Sequence, residues 1–377
     1  MGRKVSTGCL VCGSSVVLAG SEDFIVNNKK CNLQTRYQRS WRHGNAFVPG
    51  ESSRKSFVKN VLLLSAGRRV ELAQCLIKEI RNRDRKAKLF ATDLNTDQSA
   101  ACQVVDNAFT VPRATSSEYV EYIIDLCEAN DIGVVIPTID TELVPLAKHR
   151  EKFNDLSINV VISNPNLVRS CHDKRLTSTL FEVLGIKSPK IFNKNALRFP
   201  CFVKPYDGSS SIGIQRIDNE EQITKSLLAD EKMIFMELVS SDFSEFTLDA
   251  YFDQNEALRC LVPRKRIEVR AGEVSKGVTR KGTIYQYLLP KIKKLEGARG
   301  CITIQLFVRE NSDDILGLEI NPRFGGGYPL SYVAGANFIG WLLDEYLLGK
   351  EIPFFDAWEA NLMMLRYDAK ILIHNVI

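Results

Sequence analysis

The feature that most constrains the fold is an alternation of strand-like and helix-like segments that begins at Val61. The apolar run VLLLSAG is followed by RRVELAQCLIKEI, whose apolar residues recur at helical spacing, and then by a second short apolar run, KLFATDLN. The alternation continues through TSSEYVEYIIDLCEAN, where Thr115 and Glu118 are spaced as a capping box, and it ends near Ser163. This pattern predicts an α/β domain with a parallel sheet over residues 59–163.

The carboxyl ends of these predicted strands carry polar residues. In open parallel sheets, ligands bind beyond the carboxyl ends of the strands. The residues at those positions are Gly67, Arg68, Asp93, Asn95, Thr138 and Asp140. Gly67 lacks the second and third glycines of a dinucleotide-binding turn, so the sequence does not predict a dinucleotide site there.

Beyond Asn164 the chain changes character. The stretch SCHDKRLTSTLFEVLG is predicted to be helical, with Asp173 near its start and Gly185 as its C-cap. Strand-like segments then dominate, and they are CFVKPYD, IGIQRI, MIFMELV, EFTLDAYFD, ALRCLVPRKRIEV, CITIQLFVRE and ILGLEINPR.

Residues 1–58 have no sustained periodicity and are interpreted as a basic, cysteine-containing extension with a linker. Up to Asn60 the chain has ten Lys or Arg and three Asp or Glu, whereas the whole chain of 377 residues has a net charge of +5. The remainder is therefore close to neutral, which argues against a nucleic-acid-binding surface across the main body. Zn²⁺ in this extension, bound by Cys9, Cys12, Cys31 and His43, is one interpretation, but plain thiols are favoured because a second close ligand pair is missing.

The chain has the composition of a globular cytoplasmic protein. Its ten cysteines are scattered, several within apolar stretches, which is typical of reduced thiols rather than a disulfide framework. No apolar run approaches the length of a membrane span, so no membrane partner is expected. The Gly and Ser content of the first twenty residues argues against an export signal.

A glycine- and serine-rich loop separates two of the predicted strands, in the sequence FVKPYDGSSSIGI. The spacing from Gly208 to Gly213 imitates a P-loop, but Ile214 and Gln215 stand where a P-loop needs Lys and Ser or Thr. Backbone N–H groups of such a turn can still surround an anion, with Lys204 supplying a positive charge beside them. The alternative is a hairpin turn with a surface lysine.

The segment GLEINPR carries the residues best suited to a metal. Glu319 and Asn321 are two apart on a predicted strand and therefore project to the same face, as does Arg323. Gln305 on the preceding strand can lie beside them. A carboxylate and two amide oxygens suit Mg²⁺ that arrives with a nucleotide, and a neighbouring cation suits phosphoryl transfer. The alternative is a solvated edge strand with one salt bridge.

Taken in order along the chain, these segments resemble the ATP-grasp superfamily, in particular the branch similar to the ATP-binding halves of carbamoyl phosphate synthetase. The resemblance runs from about Val61 to the C-terminus through the ordered motifs HDK, FVKP with its loop, MELV, SEFTLD, TIQ and EINPRFGGG. It implies a pre-ATP-grasp α/β domain followed by an α+β ATP-grasp domain over 164–377. The latter would comprise a small subdomain over about 164–234 and a large one over about 235–377, which clamp ATP between them.

The resemblance also implies roles for individual residues. Lys174 and Lys204 would hold the ATP phosphates, under a loop formed by Gly208, Ser209, Ser210, Ser211 and Gly213. Glu237, Leu238 and Val239 would meet adenine, and Glu245 the ribose. Two Mg²⁺ ions would be bound by Gln305, Glu319 and Asn321, with Arg323 at the transferred phosphoryl group or the substrate carboxylate.

A basic stretch, VPRKRIEVRAGEVSKGVTRKG, adds further candidates for the substrate site. Strand alternation places Arg264, Arg266, Glu268 and Arg270 on one face. Arg264, Arg266 and Lys276 are assigned to the substrate acid and the phosphoryl group. The alternative is a charged, exposed ribbon. The choice of substrate is assigned to the surroundings of Arg68, Asp140 and Gly326.

The function implied is that of an ATP- and Mg²⁺-dependent carboxylate–amine ligase, which activates a small acid as an acyl phosphate. A runner-up is a carbamoyl-phosphate-type bicarbonate or carbamate kinase, or a carboxylase. A third alternative, from another class, is a nucleotide-dependent binding or regulatory module. The expected partners are small-molecule substrates, with no nucleic acid, and the resemblance suggests a homodimer.

Overall fold

The computed structural model describes residues 59–208, 213–270, 272–309, 312 and 314–373, together with the backbone of 23–26 and 29–32. The chain divides into two compact units, Met1–Ser52 and Ser53–Ile377. In the first unit, strands β1 (Asp23–Val26) and β2 (Lys29–Asn32) pair in antiparallel fashion. The candidate zinc-ligand side chains of Cys9, Cys12, Cys31 and His43 lie outside the described residues.

The second unit begins with a five-stranded sheet in the order β5-β4-β3-β6-β7, in which every neighbouring pair is parallel. This confirms the parallel α/β prediction. The strands are β3 (Asn60–Leu63), β4 (Leu89–Asp93), β5 (Asn107–Thr110), β6 (Ile132–Ile136) and β7 (Asn159–Val160). The connecting helices are α1 (Val70–Arg83), α2 (Tyr119–Ala129), α3 (Asp140–Lys148) and α4 (Arg150–Asp155), with 3₁₀ turns at Thr96–Gln98 and Ala101–Gln103.

The predicted capping box at the start of α2 is wrong. The helix begins at Tyr119, and no side chain caps its first turn. The preceding residues form a turn instead, in which the backbone N–H of Ser116 donates to the carbonyl of Arg113. Because the residues around Thr115 form this turn, the helix begins about three residues later than the predicted capping box implies.

A buried carboxylate organises the carboxyl edge of the parallel sheet. Glu142 of α3 accepts hydrogen bonds from the backbone N–H groups of Thr138 (2.5 Å) and Ile139 (3.0 Å) and from the hydroxyls of Ser65 (2.8 Å) and Tyr119 (3.2 Å). Burial raises the pKa of Glu142, and these four donors oppose that rise. The contacts fix the loops after β3 and β6, which carry candidate site residues.

A four-stranded antiparallel sheet follows, in the order β10-β9-β11-β8. Its strands are β8 (Ile191–Phe192), β9 (Cys201–Pro205), β10 (Gln215–Ile217) and β11 (Met233–Glu237). The associated helices are α5 (Pro165–His172), α6 (Lys174–Val183), the 3₁₀ turn Glu220–Gln222 and α7 (Lys225–Ala229). Asp173 accepts a hydrogen bond from the Arg175 N–H and so caps α6, and Gly185 has the left-handed φ of +70° beyond its end.

The last part of the chain forms a six-stranded sheet in the order β16-β15-β12-β13-β14-β17, antiparallel throughout. Its strands are β12 (Phe243–Phe252), β13 (Leu258–Arg270), β14 (Glu273–Thr279), β15 (Gly300–Arg309), β16 (Ile315–Asn321) and β17 (Met363–Leu365). Helices α8 (Thr283–Ile292), α9 (Tyr328–Val333) and α10 (Phe338–Leu348) complete it. The two antiparallel sheets confirm the predicted α+β architecture.

Helix α10 connects the six-stranded sheet to the parallel-sheet domain. Arg83 at the end of α1 donates to both carboxylate oxygens of Asp344 (3.0 and 2.9 Å) and to the carbonyl of Gly340. It also pairs with Glu79 at 2.7 Å. None of the helices within the described residues is long and apolar enough to cross a membrane.

Candidate active site

One face of the six-stranded sheet carries a row of polar side chains from four strands. The register pairs Thr247 with both Arg264 and Gln305, and pairs Gln305 with Glu319. Since side chains two residues apart on a strand share a face, a second row runs parallel to the first. It consists of Asp249, Thr303 and Asn321. The structure therefore brings all three sequence-predicted metal ligands together.

Glu319 accepts hydrogen bonds from two other side chains of this polar face. Its Oε1 accepts hydrogen bonds from the amide nitrogens of Asn321 (2.5 Å) and Gln305 (3.2 Å). The Gln305 Oε1 accepts in turn from Arg266 Nη1 (3.0 Å). Because both amides bind Oε1, the second Glu319 oxygen is available for a cation as far as the described residues are concerned.

Arg323 joins this face to the parallel-sheet domain. Its guanidinium donates two hydrogen bonds to the Asp140 carboxylate, from Nε at 2.7 Å and Nη2 at 2.8 Å. Nη2 also lies 3.4 Å from Asn321 Oδ1, and the Arg323 carbonyl accepts from the Thr303 hydroxyl. Burial lowers the pKa of Arg323, but the Asp140 carboxylate, together with Glu319 and Glu142, more than offsets that effect, so the pKa lies above its ordinary value. Arg323 is therefore a fixed positive charge beside Glu319.

The lysine predicted to bind phosphate is buried. Lys204 of β9 is only 6% exposed. Burial, followed by the positive charge of Lys174, lowers the pKa of Lys204 to about 8, and the Glu319 carboxylate partly opposes this fall. Lys174, the first residue of α6, donates through Nζ to the backbone carbonyls of Gly208 and, at 3.4 Å, Tyr206. Two cations and a carboxylate from three different elements thus act on one another electrostatically.

The strands on either side of the glycine- and serine-rich loop form a hairpin, but Lys204 before the loop is buried, whereas the alternative interpretation predicts a surface lysine. Strands β9 and β10 pair with Gln215 opposite Val203. Gly213 has a φ of +73°, which a side chain would strain. Ser209, Ser210 and Ser211 lie outside the described residues, so their predicted roles remain predictions.

The residues predicted to meet adenine and ribose lie at the junction of the two antiparallel sheets. Glu237 ends β11, and its backbone N–H and its carboxylate hydrogen-bond with the carbonyl (2.8 Å) and N–H (3.2 Å) of Lys190. Leu238 and Val239 follow in the link to β12 and are partly exposed. Glu245 pairs with Arg266 at 2.9 Å. A nucleotide base could therefore contact backbone groups of the link.

The three basic residues assigned to the substrate lie in three different environments. Arg264 is 1% exposed and holds Asp249 through Nε (2.7 Å) and Nη2 (2.9 Å), so this ion pair is the buried part of the polar face. Arg266 lies on that face through its bonds to Glu245 and Gln305. Lys276 is not brought into the cluster, because it pairs with Glu268 at 2.7 Å and both side chains are about half exposed.

The predicted alternation along β13 stops at Arg266. The register with β14 shifts between Arg266 and Glu268 and again between Glu268 and Val269. These irregularities interrupt the simple two-residue period, so Glu268 and Arg270 do not continue the row of Arg264 and Arg266. Arg270 pairs instead with Asp368 on the exposed ribbon.

Sequence reasoning chose Arg68, but its neighbour Arg69 is the one that enters the site. Arg68 is exposed, whereas Arg69 donates to the carbonyls of Thr138 (2.9 Å) and Phe324 (3.3 Å). Burial, followed by the charge of Arg323, lowers the pKa of Arg69 to about 10. The helix begins at Val70, and neither the capping pattern nor the helical period distinguishes the two arginines before it.

The Gly325–Gly327 turn is held closely by side chains. The Gly326 carbonyl accepts from Arg366 Nη2 at 2.7 Å, and Arg366 also pairs with Glu273 at 2.8 Å. A Cβ added at Gly327 would lie 2.3 Å from Arg264 Nη1. Arg264 therefore supports the turn that carries the predicted substrate contact Gly326. Sequence reasoning missed Glu273 and Arg366, which reach this turn only through the pairing of β14 with β17.

The ligand set fits Mg²⁺ bound together with a nucleotide. Within the described residues, no group of three or more His, Cys, Asp or Glu side chains could hold a metal. The site instead offers one carboxylate and two amide groups, and Mg²⁺ characteristically uses one or two carboxylates and completes its shell with phosphate oxygens and water. Glu319, Asn321 and Gln305 are therefore suitable for Mg²⁺ and unsuitable for an independent zinc site.

Two family models match this chain. Residues 61–161 match the model described as the PylC-like, N-terminal domain. Residues 229–364 match the model described as ATP-grasp in the biosynthetic pathway with Ter operon. No curated protein matches the sequence.

Solved structures share the architecture at low sequence identity. Biotin carboxylase from Campylobacter jejuni is 16% identical, with a TM-score of 0.63 over 81% of this chain and 74% of that one. N5-carboxyaminoimidazole synthetase from Staphylococcus aureus, in complex with ADP, is 15% identical, with a TM-score of 0.60 over 80% of each chain. An L-amino acid ligase from Bacillus licheniformis is 15% identical, with a TM-score of 0.56 over 77% of this chain and 74% of that one. These similarities establish the fold.

Proposed function

Since the chain belongs to the ATP-grasp superfamily, we propose that it is an ATP- and Mg²⁺-dependent ligase that joins a small carboxylic acid to an amine. The observation that carries the proposal is the position of Arg323. It is fixed by Asp140 of the parallel-sheet domain and lies beside Asn321 and Glu319. A pure nucleotide-binding module would not need this transfer cation next to a metal-binding carboxylate.

The proposed reaction proceeds in two steps. A carboxylate oxygen of the acid attacks the γ-phosphorus of ATP, forming an O–P bond while the bond to the β-phosphate oxygen breaks and ADP leaves. The amine nitrogen then attacks the acyl carbon, a C–N bond forms, and the C–O bond to phosphate breaks. Inorganic phosphate leaves with one oxygen of the original carboxylate, and the amine loses a proton.

The protein's own residues supply binding and charge neutralisation for these steps. Lys204 and Lys174 would bind the ATP phosphates, and Arg323 would stabilise the negative charge on the transferred phosphoryl group. Glu319, Asn321 and Gln305 would hold Mg²⁺, which when bound neutralises phosphate charge. Arg69, fixed by the Thr138 and Phe324 carbonyls, would orient the substrate carboxylate. The loop between Gly208 and Gly213 would exclude water from the acyl phosphate.

The comparisons support this proposal at the level of reaction class. The structurally similar proteins include one named as an L-amino acid ligase and one named as a synthetase in complex with ADP. We propose by extension that the acid is an amino acid or a similar small metabolite. A cytoplasmic location and a homodimer complete the proposal, and buried free thiols such as Cys75, Cys260 and Cys301 are in keeping with the former.

The test of the acyl phosphate is oxygen transfer from the acid to phosphate. The acid is labelled with ¹⁸O in its carboxylate and incubated with ATP, Mg²⁺ and an amine, and the released phosphate is analysed by mass spectrometry. One labelled oxygen per phosphate is expected for each C–N bond formed. Unlabelled phosphate accompanying the same product would overturn the acyl phosphate step.

A second candidate function is phosphorylation of bicarbonate, followed by carboxylation. It is favoured by the similarity to biotin carboxylases, including one from Hydrogenobacter thermophilus solved with MgADP and bicarbonate, at 15% identity and a TM-score of 0.65 over 81% of this chain and 73% of that one. Bicarbonate-dependent ADP formation without any organic acid would support this second function instead.

A further inference from the structure

A polar cavity of about 190 Å³ lies at the boundary between the parallel-sheet domain and the ATP-grasp domain. Its lining residues come from both sides of that boundary. They are Arg150, Asn154, Asn159, Val160, Gln254, Arg299 and Tyr346. The backbone N–H of Arg299 donates to the Ser163 hydroxyl at 3.2 Å, and the Asn159 amide lies 3.4 Å from the Tyr346 carbonyl, so both domains are held at the cavity wall.

Two guanidinium nitrogens in this wall are buried without a hydrogen-bond partner among the described residues. They are Arg150 Nη1 and Arg299 Nε. A buried N–H group without an acceptor is costly, and it is normally satisfied by protein, water or a ligand. Two such donors from different domains at one cavity therefore indicate an acceptor that binds between them.

The cavity also has an excess of positive charge. Arg299 Nη2 pairs with Glu256 at 3.3 Å, but the same carboxylate also accepts the Gly297 N–H. Burial, and then the charge of Arg299, lowers the pKa of Arg150, while Tyr346, Glu151 and Glu256 oppose this. The two arginines therefore repel each other across a space that a small anion would fill.

The cavity is separate from the candidate active site. Asn159 begins β7, and its amide lies 3.3 Å from the carbonyl of Gly133, near the start of β6. Thr138 and Asp140 follow the opposite, carboxyl end of β6. A strand of five residues spans about 16 Å, so the cavity and the active site lie at opposite edges of the parallel sheet.

We propose that this cavity is a second ligand site, which binds a small oxyanion such as a phosphate or a dicarboxylate and thereby ties the parallel-sheet domain to the ATP-grasp domain. Planar guanidinium groups match the paired oxygens of these anions, and the Asn154 and Gln254 amides, which also line the cavity, offer further donors. The cavity volume limits the ligand to a few heavy atoms beyond the anionic group. Binding there stabilises the folded chain, because the unfolded chain has no such site.

The test is calorimetric titration of the full chain with inorganic phosphate and, separately, with succinate, at constant ionic strength set by chloride. A non-hydrolysable ATP analogue with Mg²⁺ is present at a saturating concentration throughout, so that the phosphate-binding side chains of the active site are already occupied. We expect saturable binding of at least one anion, and the tighter of the two identifies the preferred class. Arg150→Gln and Arg299→Gln are expected to weaken that binding at least tenfold, whereas Arg216→Gln, in an exposed ion pair with Asp218, should not change it.

The melting temperature without added anion provides an independent readout. Arg150→Gln should keep or raise the melting temperature, because it removes repulsion from Arg299 and breaks no ion pair among the described contacts. A lower melting temperature would indicate a structural role and overturn the proposal. Unchanged affinity in both variants, or absence of saturable binding for both anions while the ATP analogue occupies the active site, would also overturn it.

Discussion

Arg323 and Asp140 are 183 residues apart in sequence, yet the guanidinium holds both oxygens of the carboxylate, at 2.7 and 2.8 Å. Arg323 follows the strand that carries the metal-ligand candidates, and Asp140 begins the helix after strand β6, which lies between β3 and β7 in the parallel sheet. The pair therefore fixes the position of the parallel-sheet domain relative to the ATP-grasp domain at the proposed reaction centre. The proposed substrate site, which uses residues of both domains, would therefore have a defined geometry.

We predict that Arg323→Gln lowers kcat about 100-fold or more and changes nucleotide affinity little, because the guanidinium acts on charge that develops during phosphoryl transfer. Asp140→Asn should cause a smaller loss, since the arginine keeps its charge but loses its fixed orientation. Steady-state kinetics and titration with MgADP measure the two effects. Arg81→Gln, which affects an exposed pair with Asp106, is the matched control. Equal losses of MgADP affinity and kcat in Arg323→Gln would show that this residue binds nucleotide rather than assisting transfer.

We predict that MgADP affinity falls as the pH rises above about 8. Lys204 has a pKa lowered to about 8, chiefly by burial, so it loses its charge in this range and with it the attraction to phosphate. The same lowered pKa has the opposite effect on stability. Between about pH 8 and its ordinary value of 10.5, the unfolded chain binds more protons at this lysine, so its contribution to the free energy of unfolding rises with pH.

The Lys204→Arg variant tests this assignment. Arginine keeps its charge throughout this range, so the fall in MgADP affinity between pH 8 and 10 should disappear. Isothermal titration at several pH values measures it. If the pH dependence is the same in the variant as in the parent protein, another group is responsible.

We predict that Arg264→Met lowers the free energy of unfolding by about 3–5 kcal/mol, because it leaves the buried Asp249 carboxylate without its partner. Asp249 would keep its hydrogen bond from Ser331, at 2.5 Å. Urea denaturation measures the change, and Arg270→Met, in the exposed pair with Asp368, should change little. Parental stability in Arg264→Met together with lost turnover would instead support a direct contact between Arg264 and substrate.

We predict that Arg69→Met raises KM for the acid substrate about tenfold or more, because its guanidinium lies between the Thr138 and Phe324 carbonyls at the proposed carboxylate site. Arg68→Met provides a control with the same chemical change at the adjacent position, which is exposed. Steady-state kinetics with the acid varied at saturating ATP distinguish the two. A larger effect of Arg68→Met would restore the sequence-based choice.

The sequence contained enough information to predict the architecture and the metal-binding face. Strand alternation placed Glu319 and Asn321 on one side of β16, and the pairing of β15 with β16 brings Gln305 beside them. Parallel-sheet logic correctly placed Asp140 at a carboxyl strand end. That reasoning could not identify the partner of Asp140, since Arg323 comes from the segment that follows β16 of a different sheet.

The differences between the sequence-based expectations and the structure have local physical causes. The bulges in β13 interrupt the period that seemed to align Arg264, Arg266, Glu268 and Arg270. Arg264 is buried in an ion pair with Asp249, which no pattern of single-strand alternation can reveal. Arg68 and Arg69 differ only in how the turn before α1 directs them, and that direction depends on contacts with Thr138 and Phe324.

The most direct test of the central claim is ADP release with ATP and Mg²⁺ across a grid of amino acids and small carboxylates, each with and without an amine. Glu319→Ala serves as the blank, and Glu296→Ala, at an exposed position, serves as the matched control. The ligase account predicts turnover that requires both an acid and an amine, that is absent in Glu319→Ala and that is retained in Glu296→Ala. Tight ATP binding without turnover for any pair, or turnover that persists in Glu319→Ala, would contradict it.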